Sequence, residues 1–288
     1  MIKKISVHNL LHKIKYSFKK IRRAVFKKRI KAIGFGENCI RQIYILNLDR
    51  KPKRWYEFSK KAESLKANNG RKLLEFCTRI SAVDAKDSVS TDKVKDSYSL
   101  NDQYYVDPDP RLLTILKQQD VVIKMTKEEI AIALSHIKAW ETIIREKRAF
   151  GLILEDDVNF ELNFAEKLNQ IWNELSMIKN PYDFDMLYLS FLEVDHGFEK
   201  TKFTKSIDIP KRGLWWMSGY VLSYQGALKL MNELPICGPV DLWINLKFSK
   251  LKVYVSNQSL INQRDDILSD NNYSIVSTLN KIGINPDT

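Results

Sequence analysis

Short apolar runs of strand length alternate along this chain with longer stretches of helical periodicity. Ile43-Tyr44-Ile45-Leu46-Asn47-Leu48 is one such run and Gly151-Leu152-Ile153-Leu154-Glu155 is another. Residues 73–80, 185–190, 217–223 and 252–255 predict further strands. Between them, apolar residues recur every three to four positions, which predicts helices over 53–67, 127–147, 161–178, 225–232 and 239–249. The clearest is 127–147. Ile130, Leu134, Ile137 and Ile144 share its apolar face, and Thr126 with Glu129 three residues on forms a capping-box pattern. Asn68-Asn69-Gly70 marks a turn, residues 84–120 read as loop, and Asp107-Pro108-Asp109-Pro110 reads as a turn within it. The segment 195–213 reads as a mobile loop over the site. Strands alternating with helices predict an α/β fold with a mostly parallel sheet flanked by helices. Ligands in such sheets bind at the carboxyl ends of strands.

One of those ends carries three carboxylates in a row, Glu155-Asp156-Asp157. Side chains alternate along a strand, so Glu155 and Asp157 point one way and Asp156 the other. Mutual repulsion among them is costly unless a cation offsets it. Mg²⁺ or Mn²⁺ suits oxygen ligands and keeps positions open for phosphate oxygens. Glu155 and Asp157 are therefore the candidate metal ligands, and the arrangement suits a nucleotide diphosphate. A solvated acidic turn after a core strand is the competing reading.

The first 33 residues stand apart. They hold twelve Lys or Arg and no acid, so they carry the whole formal excess of +12. Val7, Leu10, Leu11, Ile14, Phe18, Ile21, Val25 and Phe26 form a helical stripe, with Lys13, Lys19, Lys20, Arg22, Arg23 and Lys27 around it. This predicts a basic amphipathic helix lying on an anionic membrane surface, apolar face down. A solvated arm and a nucleic-acid-binding arm are the alternatives, the latter the least favoured. No apolar run approaches the roughly 18 residues needed to span a bilayer, and charges interrupt every candidate signal-peptide core. The expected division is a membrane-surface helix over 1–37 and a catalytic domain over 38–288. Cys39, Cys77 and Cys237 are widely spaced and match neither a disulfide framework nor a zinc site, which fits a reducing cytosol.

Several of these segments, in this order, resemble glycosyltransferase family 25, which includes lipopolysaccharide and lipooligosaccharide glycosyltransferases and collagen galactosyltransferases. The resemblance rests on Ile43–Arg50 followed by Arg54, on Ile80-Ser81-Ala82-Val83-Asp84, and on Glu129-Ile130 with Ala133-Leu134-Ser135-His136. It continues through Ile153-Leu154-Glu155-Asp156-Asp157-Val158, Gly219–Leu230 and Pro239-Val240-Asp241-Leu242-Trp243. It covers roughly residues 41 to 265. The family usually has Gly-Cys where this chain has Ala131-Ile132.

The resemblance implies a GT-A-like, Rossmann-like fold and inverting, metal-dependent transfer from a UDP-sugar to a saccharide or glycolipid acceptor. Asn47, Asp49, Arg50, Arg54, Asp84, Ser135 and His136 are placed at the donor. The two arginines suit phosphate, and Asp84 suits uridine or ribose. An inverting reaction needs a general base for the acceptor hydroxyl. Asp241 is the candidate; capping helix 239–249 is its competing role. Asp156 is expected to orient the ribose or the metal's waters. Trp215, Trp216 and Tyr220 are either acceptor-facing or core, and Gln258, Gln263 and Asp265 are weaker acceptor-side candidates. With no secretory signal, a lipopolysaccharide acceptor is favoured over collagen, and the expected location is the cytoplasmic face of the cell membrane. A metal-dependent sugar nucleotidyltransferase would also need carboxylates, but Asn47-Leu48-Asp49-Arg50-Lys51-Pro52 lacks the glycines of its phosphate loop. A non-catalytic membrane or nucleic-acid binder would not need three adjacent carboxylates.

Overall fold

The computed structural model describes residues 29–87, 92–117, 119–264 and 273–281. Its centre is an eight-stranded sheet. The strands are β1 (Gln42–Asn47), β2 (Cys77–Ser81), β3 (Phe150–Glu155), β4 (Met186–Tyr188), β5 (Glu199–Lys202), β6 (Ile207–Arg212), β7 (Gly219–Ser223) and β8 (Val253–Ser256). They lie in the order β5-β6-β8-β4-β7-β3-β1-β2. The helices around them are α1 (Pro52–Ser64), α2 (Leu100–Val106), α3 (Lys127–Arg145), α4 (Phe164–Met177), α5 (Tyr224–Asn232), α6 (Val240–Asn245) and α7 (Ser274–Lys281).

Alternation along the strands builds two cores. Tyr44, Leu46, Ile153, Tyr188, Tyr220 and Leu222 face one side, where they pack with Ile137 and Trp140 of α3 and Trp243 of α6. Ile43, Ile45, Leu152, Leu154, Leu187 and Val221 face the other, against Phe58 of α1 and Leu168 and Trp172 of α4. The strands are buried on both faces, which explains their continuous apolar runs. Gly226 opens α5 because a Cβ there would collide with the carbonyl of Asp185.

The sheet is mixed rather than mostly parallel. β1 runs parallel to β2 and β3, and β4 to β8, while the four other pairings are antiparallel. The cause is the excursion after β4. Leu192–Glu193 pairs with Leu214–Trp215 as the chain leaves and re-enters at one sheet end. A chain that returns from the end it left must run antiparallel. The segment 195–213 is therefore no loop over the site: it contains the edge hairpin β5–β6.

The N-terminal boundary also moves. Arg29–Ile30 pairs with Lys66–Ala67, and Ile30, Ala32 and Ile33 are buried in the second core. The globular unit thus takes in residues assigned above to the basic segment. The rest of that segment, residues 1–28, lies outside the described residues. No described helix is long and apolar enough to cross a membrane.

Candidate active site

The carboxyl ends of β1 and β3 lie side by side, so Asn47 meets the acidic run. Asn47 Nδ2 donates to Asp156 Oδ2 at 2.5 Å, and its Oδ1 accepts from Arg79 Nε at 2.6 Å. Both residues are buried. Arg54, one turn into α1, reaches Asp156 Oδ1 at 3.6 Å and Asp157 Oδ2 at 3.7 Å. Burial raises the pKa of Asp156, opposed by the Asn47 hydrogen bond and by Arg54. Asp157 is pushed up to about 7 by burial and then by the charges of Glu155 and Asp156. Its Oδ1 is buried without a hydrogen-bond partner among the described residues.

Glu155 is held by two hydrogen bonds and faced by an imidazole. Its N–H donates to Ser218 O at 3.0 Å, and its Oε2 accepts from Gln263 Nε2 at 3.3 Å. Its Oε1 faces His136 Nε2 at 3.8 Å. His136 is fully buried in α3, with Nδ1 2.9 Å from Tyr220 Oη. Trp140 Nε1 donates to the same hydroxyl at 2.9 Å. Having accepted from the indole, the hydroxyl can give its single proton to Nδ1. That network assigns the remaining imidazole proton to Nε2, aimed at Glu155, which a carboxylate favours. Ser135 accepts from Val83 N at 2.9 Å and donates to Ala131 O at 2.7 Å, fastening α3 to the end of β2.

These residues line a cleft of about 770 Å³, open to solvent. Arg50, Arg54, Ser135, His136 and all three carboxylates reach it. Asp49 and Asp84 are not among its lining residues. Asp49 accepts from Ser81 Oγ at 2.6 Å and pairs with Arg79 at 2.5 Å, contacts that lower its pKa. Asp84 accepts from Lys86 N and pairs with Arg50 at 2.5 Å, and both lower its pKa. It thus holds Arg50 at the cleft rim.

A second cleft, about 470 Å³, adjoins the first through Glu155 and Ile132, which line both. Asp241, Trp216, Gln263, Tyr273 and Glu129 line it. Pro239, not Asp241, occupies the N-cap of α6. Asp241 instead accepts from Trp216 N at 3.2 Å and Leu242 N at 2.9 Å, and burial raises its pKa. The first bond pins Trp216 in left-handed backbone, φ 73°, which is strained for a bulky residue. Tyr220 is core rather than acceptor-facing, as its hydroxyl contacts require. Asp265 lies outside the described residues. Glu129 belongs to the second cleft although the sequence marks it only as a cap. It fills both roles: Oε2 accepts from Thr126 N, and Oε1 accepts from Ser274 N and Oγ.

Among the described residues no three His, Cys, Asp or Glu side chains form a ready-made metal cluster. The residues present still fit a hard cation that is shared with phosphate. Such ions are held by one or two carboxylates and complete their shell with water and phosphate oxygens. Arg54 is within ion-pair distance of Asp156 and Asp157, Arg50 is paired with Asp84, and Asp157 keeps a buried oxygen unpartnered among the described residues.

A family model described as glycosyltransferase family 25 (LPS biosynthesis protein) matches residues 40–244, well over half of the chain. The chain belongs to glycosyltransferase family 25. Its relatives in that family are distant. A glycosyltransferase 25 family member from Aedes aegypti is 28% identical over 212 residues, 73% of this chain and 31% of that protein. Procollagen galactosyltransferase 1-A from Xenopus laevis is 29% identical over 130 residues, 44% of this chain and 21% of that protein. A probable inactive glycosyltransferase 25 family member 3 from Bos taurus is 32% identical over 128 residues, 44% of this chain and 21% of that protein. The matches thus span between a fifth and a third of these curated relatives. The family match reaches from β1 into α6, so it contains Asn47, the three carboxylates and Asp241, but not Gln263 or Tyr273.

Proposed function

We propose that this chain transfers a hexose, galactose or glucose, from a UDP-sugar to a hydroxyl of a saccharide acceptor, with inversion and with Mn²⁺ or Mg²⁺. The observation that carries this reading is the position of Glu155. It belongs to an arginine-lined cleft and to an aromatic, carboxylate-lined one, so two substrates can meet at its side chain.

In this reading Arg50 and Arg54 bind the diphosphate, for which guanidinium geometry is suited. Glu155 and Asp157 would hold the metal ion, which supplies positive charge to the departing nucleotide diphosphate. Asn47 fixes Asp156, and with it the position of Arg54. Gln263 holds one oxygen of Glu155 by a hydrogen bond, and His136 faces the other. Asp241 takes the acceptor proton: burial raises its pKa, and a base is more effective as its pKa nears the working pH. Trp216 and Tyr273 offer faces for an acceptor sugar. The acceptor is proposed to be a lipopolysaccharide, lipooligosaccharide or other surface glycan, and the enzyme to work at the cytoplasmic membrane face through its basic N-terminal segment.

Release of UDP from a panel of UDP-sugars, with and without Mn²⁺, tests the reaction. Metal-dependent release from UDP-galactose or UDP-glucose that rises with a saccharide acceptor is the expected outcome. Release of pyrophosphate from a nucleoside triphosphate and a sugar phosphate would instead identify a nucleotidyltransferase. No turnover and no UDP binding would overturn the proposal.

A further inference from the structure

The two clefts differ in their charged side chains. The first, with its carboxylates, also has Arg50 and Arg54 in its lining. The second is lined by Glu129, Glu155 and Asp241, and among the described residues no lysine or arginine lines it. Glu129 is buried and also acts on Asp241, raising its pKa further. Glu155 could be neutralised by a metal shared with the donor. Glu129 and Asp241 would remain, one at the wall and one at the point where the acceptor hydroxyl must sit.

We propose, resting on the reading above, that the second cleft selects its acceptor by charge: it admits an uncharged or amine-bearing sugar and excludes a phosphorylated or carboxylated one. An anion entering this cleft would lose water and find carboxylates in place of a counter-charge. Like-charge juxtaposition of this kind is an effective device against wrong partners. Neutral rings meet no such penalty. They stack on Trp216 or Tyr273 and hydrogen-bond to Gln263 and the carboxylates. The anionic substrate is thereby confined to the arginine-lined cleft, and the acceptor to its neighbour.

The test is binding to the full-length protein loaded with UDP and Mn²⁺, so that the first cleft is filled. Ligands are neutral methyl hexosides, an amino-hexoside, hexose phosphates and a methyl uronide. Tryptophan fluorescence reports binding, and Trp216→Phe establishes which part of the signal comes from the second cleft. Neutral and amine-bearing ligands should bind at least tenfold more tightly than the anionic ones. Glu129→Gln should narrow that ratio by threefold or more. Equal or tighter binding of the anionic sugars, or no binding by any class, overturns the proposal. Clear charge selection with no UDP release from any UDP-sugar would instead leave the selection standing and overturn the transfer reaction.

Discussion

Tyr220 Oη lies 2.9 Å from His136 Nδ1, and this contact between β7 and α3 orients the imidazole toward Glu155. Trp140 Nε1 shares the hydroxyl, so one oxygen satisfies two buried groups. Tyr220→Phe leaves both without a partner. It should cost about 1–3 kcal/mol and lower the melting temperature by several degrees. Mn²⁺ affinity should fall, by less than the roughly tenfold expected for loss of a direct outer hydrogen bond to a metal ligand, because the imidazole facing Glu155 loses the contact that orients it. Tyr188→Phe is the control. Tyr188 is fully buried on neighbouring β4, and its hydroxyl has no partner among the described residues. Losing an unpaired buried hydroxyl should be neutral or stabilising. Thermal melts and Mn²⁺ titrations of the two variants should therefore move in different directions.

Asp157 gives stability a defined pH dependence. Its pKa is about 7 in the folded protein and near 3.8 ordinarily. Below pH 4 the group is protonated in both folded and unfolded states and contributes no difference. As pH rises through the interval, the unfolded chain releases a proton that the folded protein retains, so stability falls. Above about pH 7 the loss is complete. Asp157→Asn should remove this slope. With chelator present, wild type should lose more melting temperature between pH 5 and pH 8 than the variant does. Added Mn²⁺ should stabilise wild type more at pH 8 than at pH 6 and leave Asp157→Asn nearly unmoved. Identical pH slopes for the two proteins would refute the assignment.

Asp241 is separable into a structural and a chemical part. Asp241→Asn keeps an oxygen able to accept from Trp216 N or Leu242 N, but it cannot take a proton. Turnover should drop about a hundredfold or more, with the fold retained. Since Asp241 is not the cap of α6, no helix-capping loss is expected. Full activity in Asp241→Asn would move the base to another carboxylate of that cleft, Glu129 first.

The sequence was most legible where one signal dominated. The run ending in Glu155 and the capping box opening α3 lie within a residue or two of their predicted places, because burial on both faces and a reciprocal cap leave strong patterns. The β5–β6 hairpin was hidden for the opposite reason. Glu199–Lys202 is polar and exposed throughout, and Pro210 lies beyond the rungs that β6 shares with β8. Edge strands carry such residues and lack an apolar face. Asp156 and Arg54 could be proposed as site residues from local pattern. Their shared contact could not, nor could the placement of Glu129 in a second cleft. Both depend on which strands and helices become neighbours. The antiparallel course of β7 was equally invisible, since a strand buried on both faces reads alike in either direction.

The basic N-terminal segment can be tested once the boundary is drawn from the fold. Removing residues 1–33 would delete Ile30, Ala32 and Ile33 from the core and unpair Arg29–Ile30 from Lys66–Ala67. Loss of activity in that truncation would only report unfolding. Removing residues 1–28 spares those contacts and still deletes ten of the twelve basic residues. This shorter truncation should melt within a few degrees of the full chain and transfer sugar to a soluble acceptor at a comparable rate. It should lose co-sedimentation with anionic vesicles and much of its rate on a lipid-embedded acceptor, because surface docking raises local concentration. Binding by the full chain should weaken with salt, since screening acts over about 8–10 Å. Equal vesicle binding by both forms would refute the membrane assignment, and tight binding to RNA but not to vesicles would make the segment a nucleic-acid arm.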